Sequence, residues 1–149
     1  KRTPIEEFNN IRKSGKISII LKENDELIAV RKTTGTDEVV IGAKNGRMVR
    51  FNETEIRSMG RGTSGVKGID LTDSEVVSSE IINSGEDILI VTEKGYGKKT
   101  LIDEYRLTHR GSKGVKALNI TEKNGNMVAL KYVNPNYVDK LDVIVILLS

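Results

Sequence analysis

The sequence predicts an all-β protein, laid out as an array of repeated units of short strands. Three observations carry that reading: β-branched apolar runs of strand length, tight Asn and Gly turns between them, and a period close to 50 residues. The runs are "KISIIL" (16–21), "LIAVRK" (27–32), "EVVIGA" (38–43), "ILIVTE" (88–93), "MVALKYV" (127–133) and "VIVILL" (143–148). Each is bounded by Gly, Asn, Asp or charge, as half-buried strands are. Lys44-Asn45-Gly46 and Lys94-Gly95 read as hairpin turns, where positive φ is tolerated, and Asn124-Gly125 is a third such signal. The period shows in three anchors: Gly15, Gly65 and Gly114; Asp37, Asp87 and Asp142; Phe8, Ile56 and Tyr105. About four strands per repeat points to a β-propeller-like array, one blade per repeat, whereas a continuous sandwich needs no period.

The elements follow in order along each unit. "RTPIEEF", "RFNETEI" and "KTLIDEY" are one acidic turn written three times, and "PIEEFNNI" has room for a single helical turn. A glycine-and-cation turn comes next, as "KSGKISI", "TSGVKGI" and "RGSKGVKAL", and then the strands. No stretch keeps a 3.6-residue apolar period over helix length. The units run at about 1–46, 47–95 and 96–149, one partial domain of roughly three four-stranded blades. With no Trp and six Phe and Tyr in 149 residues, the core is expected from Ile, Val and Leu.

Composition limits the chemistry. There is no cysteine, hence no disulfide and no thiolate metal site, which suits a reducing cytoplasm. No apolar run reaches membrane-spanning length. The single His109 has no cysteine to pair with, and no His-x-x-x-His, Gly-x-Ser-x-Gly or phosphate-loop lysine motif occurs, so no catalytic or metal-ligating set is expected. "GRGTSG" (60–65) fits G-x-G-x-x-G, but the following "VKGIDL" reads as a strand, so the match reads as a turn with spare glycines. The carboxylates fall at repeated turn positions and read as solvated turn acids.

Net charge is only +3, but its distribution is regular. Stretches 9–16, 57–67 and 106–116 hold 10 of the 24 Lys and Arg and no acid. Exposed loops commonly carry cations without a ligand. Here, though, an array would set equivalent turns side by side and merge them into a stripe suited to duplex phosphates. Candidate DNA contacts are Arg12, Lys13, Lys16, Arg57, Arg61, Lys67, Arg110, Lys113 and Lys116. A second basic set recurs at Lys1-Arg2, Arg47/Arg50 and Lys98-Lys99. Glycine beside the cations would let backbone N–H groups approach a phosphate. Aromatics are scarce near the turns, which disfavours base stacking on single strands.

"MGRGTSGVKGIDL" (59–71), "VTEKGYGKKTLIDEYR" (91–106), "HRGSKGVKALNITEKNG" (109–125) and "DELIAVRKTTGTDEVVIGAKNGRMVRF" (25–51) resemble the DNA gyrase A C-terminal domain family more closely than its topoisomerase IV paralogue. The resemblance implies a six-bladed β-pinwheel whose blades exchange strands and whose basic rim bends and wraps double-stranded DNA. It implies a non-catalytic module of a cytoplasmic, ATP-dependent type II topoisomerase that introduces negative supercoils. The parent would be an A2B2 heterotetramer with the B subunit, holding ATP and Mg on other domains and none in this stretch. This chain would then be about three middle blades of six. The family's Gln-Arg-Arg-Gly-Gly-Lys-Gly box is absent, and His109–Gly114 keeps only part of its pattern, so binding without unaided wrapping is expected. None of Tyr96, Tyr105, Tyr132 or Tyr137 is expected to be a nucleophile. The competing readings are a protein-interaction blade array, or the equivalent domain of topoisomerase IV. Truncated blade edges would also allow self-association by strand pairing.

Overall fold

A computed structural model describes residues 1–10, 12–83 and 87–133. The strands are β1 (Glu38–Ala43), β2 (Arg47–Asn52), β3 (Val76–Ile82), β4 (Asp87–Thr92), β5 (Gly97–Leu101), β6 (Val115–Lys116) and β7 (Met127–Val133). They form a four-stranded sheet in the order β3-β1-β2-β6 and a three-stranded sheet in the order β5-β4-β7. Every pairing within them is antiparallel. The all-β class is as the sequence predicts, with two sheets among the described residues where three blades are expected.

The two sheets repeat each other in detail. In one, Glu38 pairs with Asn52 and Ile82; in the other, Asp87, 49 residues on, pairs with Leu101 and Val133. Both carry a register shift at the same place, between Gly42 and Ala43 and between Val91 and Thr92. Each sheet is thus a tight hairpin joined by a strand from some 35 residues further along, so its stability depends on non-local pairing. The hairpin turns close as expected, with Gly46 N–H donating to Ala43 O (2.9 Å) and Gly95 N–H to Thr92 O (3.0 Å). The acidic turns are 3-10 turns at Ile5–Phe8, Glu53–Glu55 and Ile102–Glu104. Asn52 caps the second, its side-chain oxygen accepting from Thr54 N–H at 2.9 Å.

Alternation along β1 and β2 builds two cores. Val40 and Met48 face a cluster with Ile82, Ile88, Ile90, Ile102, Tyr105, Ala117, Met127 and Leu130, which joins the two sheets. Val49 and Phe51 face the other way, with Ala43, Ile56, Met59 and Ile69 from the basic loop. Burying each Val, Ile, Leu, Met or Phe side chain among them contributes about 1.5–3 kcal/mol. The expected Ile/Val/Leu core is only part of the outcome. All three methionines are buried, Met48 and Met127 in the cluster between the sheets and Met59 in the cluster with the basic loop, where unbranched chains fill irregular space.

Several expectations fail for identifiable reasons. "KISIIL" and "LIAVRK" form no ladder; Ile17, Leu27 and Val30 are 71%, 58% and 76% exposed. Among the described residues no strand pairs with either run. "VKGIDL" likewise forms no strand, though Ile69 is buried in the core and Leu71 packs against it. The turn acids are not uniformly solvated: Asp37, Glu53 and Asp87 are buried. Glu53 accepts from Gly35 N–H (2.8 Å), Asp37 N–H (2.9 Å) and the Thr33 hydroxyl (2.8 Å), satisfying loop groups that no ladder reaches. "VIVILL", Asp142 and Tyr137 lie outside the described residues.

Candidate nucleic-acid interface

The basic turns are positioned by what precedes them. Each follows a 3-10 turn whose closing residue, Ile56 or Tyr105, is buried as an anchor. The third then runs across the β1–β2 hairpin of the preceding repeat. β6 pairs with β2 through Arg47–Lys116 and Met48–Val115, and Gly114 stands at that crossing with φ +68°. A Cβ on Gly114 would penetrate the Met48 carbonyl. At Gly65, one repeat earlier, a Cβ would come within 2.9 Å of the Lys1 side chain. Gly65 and Gly114 therefore admit a neighbouring segment, a sufficient reason for them without any phosphate.

The two seams between repeats share two backbone bonds. Met59 N–H donates to Arg2 O at 2.9 Å and Thr108 N–H to Arg50 O at 2.7 Å. Ile20 N–H donates to Thr63 O (3.1 Å), and Asp70 N–H to Ser112 O (2.8 Å). Arg2 and Arg50, from the second basic set, are clamps rather than surface cations. Arg2 donates to Ile56 O and Gly35 O and pairs with Glu53 at 3.2 Å. Arg50 donates to Ile102 O (3.0 Å) and Tyr105 O (2.9 Å) and pairs with Glu38 and Asp103. Lys99, the equivalent in β5, pairs with Asp87 at 2.9 Å. Arginine suits this position because its forked donors satisfy several carbonyls at once.

The nine candidate contacts divide by environment. Arg12, Lys13, Arg57 and Lys113 are exposed, and none has a side-chain hydrogen bond or ion pair among the described residues. Lys16 donates to Asn9 O (2.8 Å), and Lys116 to Asn119 Oδ1 at a long 3.4 Å. Lys67 is 62% exposed and pairs with Asp70 at 2.8 Å. Arg61 and Arg110 are turned inward: Arg61 Nη1 donates to Ile17 O (2.9 Å) and Arg110 Nη1 to Lys67 O (2.7 Å). Arg110, Lys67 and Lys113 thus gather at one seam, and Arg61 and Lys1 at the other. Arg106 is exposed and unpartnered among the described residues, and sequence reasoning passed over it. It stands 49 residues after Arg57, the step that relates Arg110 to Arg61, so the repeat itself was the signal.

Electrostatics at the 67–70 turn are specific. The hydrogen bond from Lys67, then its charge, hold the Asp70 carboxyl below its usual pKa against a smaller opposing desolvation, with the charge of Lys113 the least of these influences. Glu55 sits beneath the third turn, accepting from Arg110 N–H (3.0 Å) and lying 3.5 Å from His109 Nδ1. Among the described residues no three His, Asp or Glu converge as metal ligands. "GRGTSG" is bends with no helix after it.

The profile of the family described as DNA gyrase C-terminal domain, beta-propeller, matches residues 1–34, 37–83 and 86–134. The chain belongs to that family. It is 50% identical over 135 residues to the DNA gyrase A polypeptide of Ureaplasma parvum, covering 90% of this chain and 16% of that protein. Against the corresponding gyrase polypeptide of Staphylococcus epidermidis the identity is 47% over 136 residues, covering 89% of this chain and 15% of the relative. The chain therefore spans about a sixth of the length of these relatives. Among solved structures, the C-terminal domain of DNA topoisomerase IV superposes with a TM-score of 0.82 at 28% identity, over 89% of this chain and 42% of that one. A DNA gyrase A C-terminal domain gives 0.71 at 29% identity, over 82% and 42%.

Proposed function

We propose that this chain is a DNA-binding module of a gyrase-type topoisomerase, holding duplex through phosphate contacts from its basic turns. The observation that carries it is the recurrence of cations with no side-chain hydrogen bond or ion pair among the described residues, Arg12 and Lys13, Arg57, then Arg106 and Lys113, on turns stacked in sequence by equivalent seams. Phosphate contacts of this kind position without reading bases, and selectivity would come from bendability. Lys16, Lys67 and Lys116 complete the track once their weak surface bonds exchange for phosphate. The chain contributes no catalytic residue and no cofactor site in this reading. Strand cleavage, ATP and Mg belong to other parts of an A2B2 enzyme with the B subunit in the cytoplasm, and repeats 1–46, 47–95 and 96–149 are part of a longer array.

Fluorescence anisotropy with a labelled duplex tests this. Affinity is expected to fall linearly on a log–log salt axis, by about 0.9 per phosphate neutralised, and to drop on Arg57→Glu with Lys113→Glu. Undetectable binding at low salt would sink the proposal. Exposed Leu27, Ile28 and Val30 favour a second reading, a protein-docking array. If the charge reversals spare DNA affinity but abolish assembly with the B subunit, that second reading stands.

A further inference from the structure

We infer that Arg61 and Arg110 are positioning residues that set the spacing between successive basic turns, and through it the path of bound duplex. The inference rests on the duplex-binding reading above. The two arginines occupy the same place in successive repeats, 49 residues apart, and each reaches back to the turn before it. Arg61 Nη1 donates to Ile17 O at 2.9 Å, and Arg110 Nη1 to Lys67 O at 2.7 Å. Ile17 and Lys67 are themselves equivalent, each two residues after its turn glycine.

The guanidiniums are committed to the seam. The Arg61 side chain is 28% exposed, its Nε is buried without a hydrogen-bond partner, and it faces Glu7 at 3.9 Å. Arg110 is also tied down through its own N–H, bonded to Glu55 at 3.0 Å. Apart from these side chains, turn-to-turn spacing at the first seam rests on the Ile20–Thr63 backbone bond and the Lys1 ammonium, which bonds Ser18 O and Thr63 O. At the second it rests on Asp70–Ser112 and Gly111–Gly68. The carriers Lys13, Lys67 and Lys113 ride on the turns so joined. Duplex resists bending elastically, so it follows a curved track only where the cations are held at fixed separation. Loosening the staple would leave the cations in place while releasing the curvature.

The test separates number of contacts from path. The salt slope is measured by anisotropy, and the bend by energy transfer between dyes at the ends of a duplex long enough to cross both seams. Lys113→Gln should lower the slope by about one and keep the end-to-end distance. Arg110→Gln and Arg61→Gln should keep the slope to within about half a contact and lengthen that distance. An arginine variant that lowers the slope by about one with the bend unchanged is a phosphate contact, and the inference is then wrong. It is equally wrong if the unaltered chain binds duplex without shortening its ends. Thermal melts accompany each variant; if Arg110→Gln does not fold, Arg61→Gln decides at the other seam, and failure of both to fold makes the arginines stability elements and overturns the inference. Absence of binding by the unaltered chain at low salt is a different result, the failure of the duplex reading itself.

Discussion

Residues 15–32 and 114–133 are written in the same pattern and fold differently. Both begin with a positive-φ turn glycine and end in a β-branched run. In the later segment Val115 pairs on β2, and Met127–Val133 forms β7 against β4. In the earlier one no strand forms, and Leu27, Ile28 and Val30 stand in solvent. The intrinsic preferences are comparable, so the difference is the partner: 114–133 pairs with two hairpins, and 15–32 pairs with none among the described residues. β-propensity describes fitness for a half-buried pleated surface, and without that surface it specifies nothing.

The sharpest way to break this comparison is at the turn glycine. Gly114→Ala adds a Cβ into the Met48 carbonyl in a left-handed conformation, and should cost about 4 kcal/mol, strain and overpacking together. Gly15 has φ +75° but nothing within 4 Å of its Cβ position, so Gly15→Ala should cost only the backbone term, about 1 kcal/mol. Urea denaturation of the two variants measures the contrast. Equal losses would mean that conformation alone, not the neighbouring strand, dictates glycine there.

How much of this was legible in the sequence follows from the same distinction. Whatever is local could be read: the hairpins at 38–52 and 87–101, the three acidic turns, and the 50-residue period. Whatever depends on a distant partner could not. Arg50 and Arg57 look alike as surface cations, yet one is clamped by carbonyls some 52 and 55 residues away and the other is free among the described residues. Glu53 passes for a solvated turn acid until the loop at 33–37 folds over it. The nine candidate cations share a local spacing, which does not separate the inward Arg61 and Arg110 from exposed Lys113.

A second contrast is smaller per residue. Leu130 in β7 is fully buried, and Leu130→Ala should cost about 3 kcal/mol through lost burial and the cavity left behind. Leu27→Ala and Val30→Ala, in the unpaired run, should stay within about 0.5 kcal/mol. A loss at Leu27 approaching that at Leu130 would show that 27–32 is packed in solution, and the comparison above would fail.

The smallest expected effect concerns Lys67, whose equivalents Ile17 and Lys116 have no acid bonded to them. Asp70 competes with phosphate for the Lys67 ammonium, so Asp70→Asn should tighten duplex binding by about twofold, in keeping with the modest strength of exposed ion pairs. The pH dependence has a definite sign. Because the folded-state pKa of Asp70 is depressed, its pairing with Lys67 is fully present above the ordinary carboxylate pKa and is lost as pH falls through the lowered value. The advantage of Asp70→Asn over the unaltered chain should therefore hold across neutral pH and vanish on acidification. The unaltered chain gains affinity as its own Asp70 protonates. An Asp70→Asn affinity equal to that of the unaltered chain at neutral pH would remove Lys67 from the phosphate track and leave Lys113 and Arg106 to carry that seam.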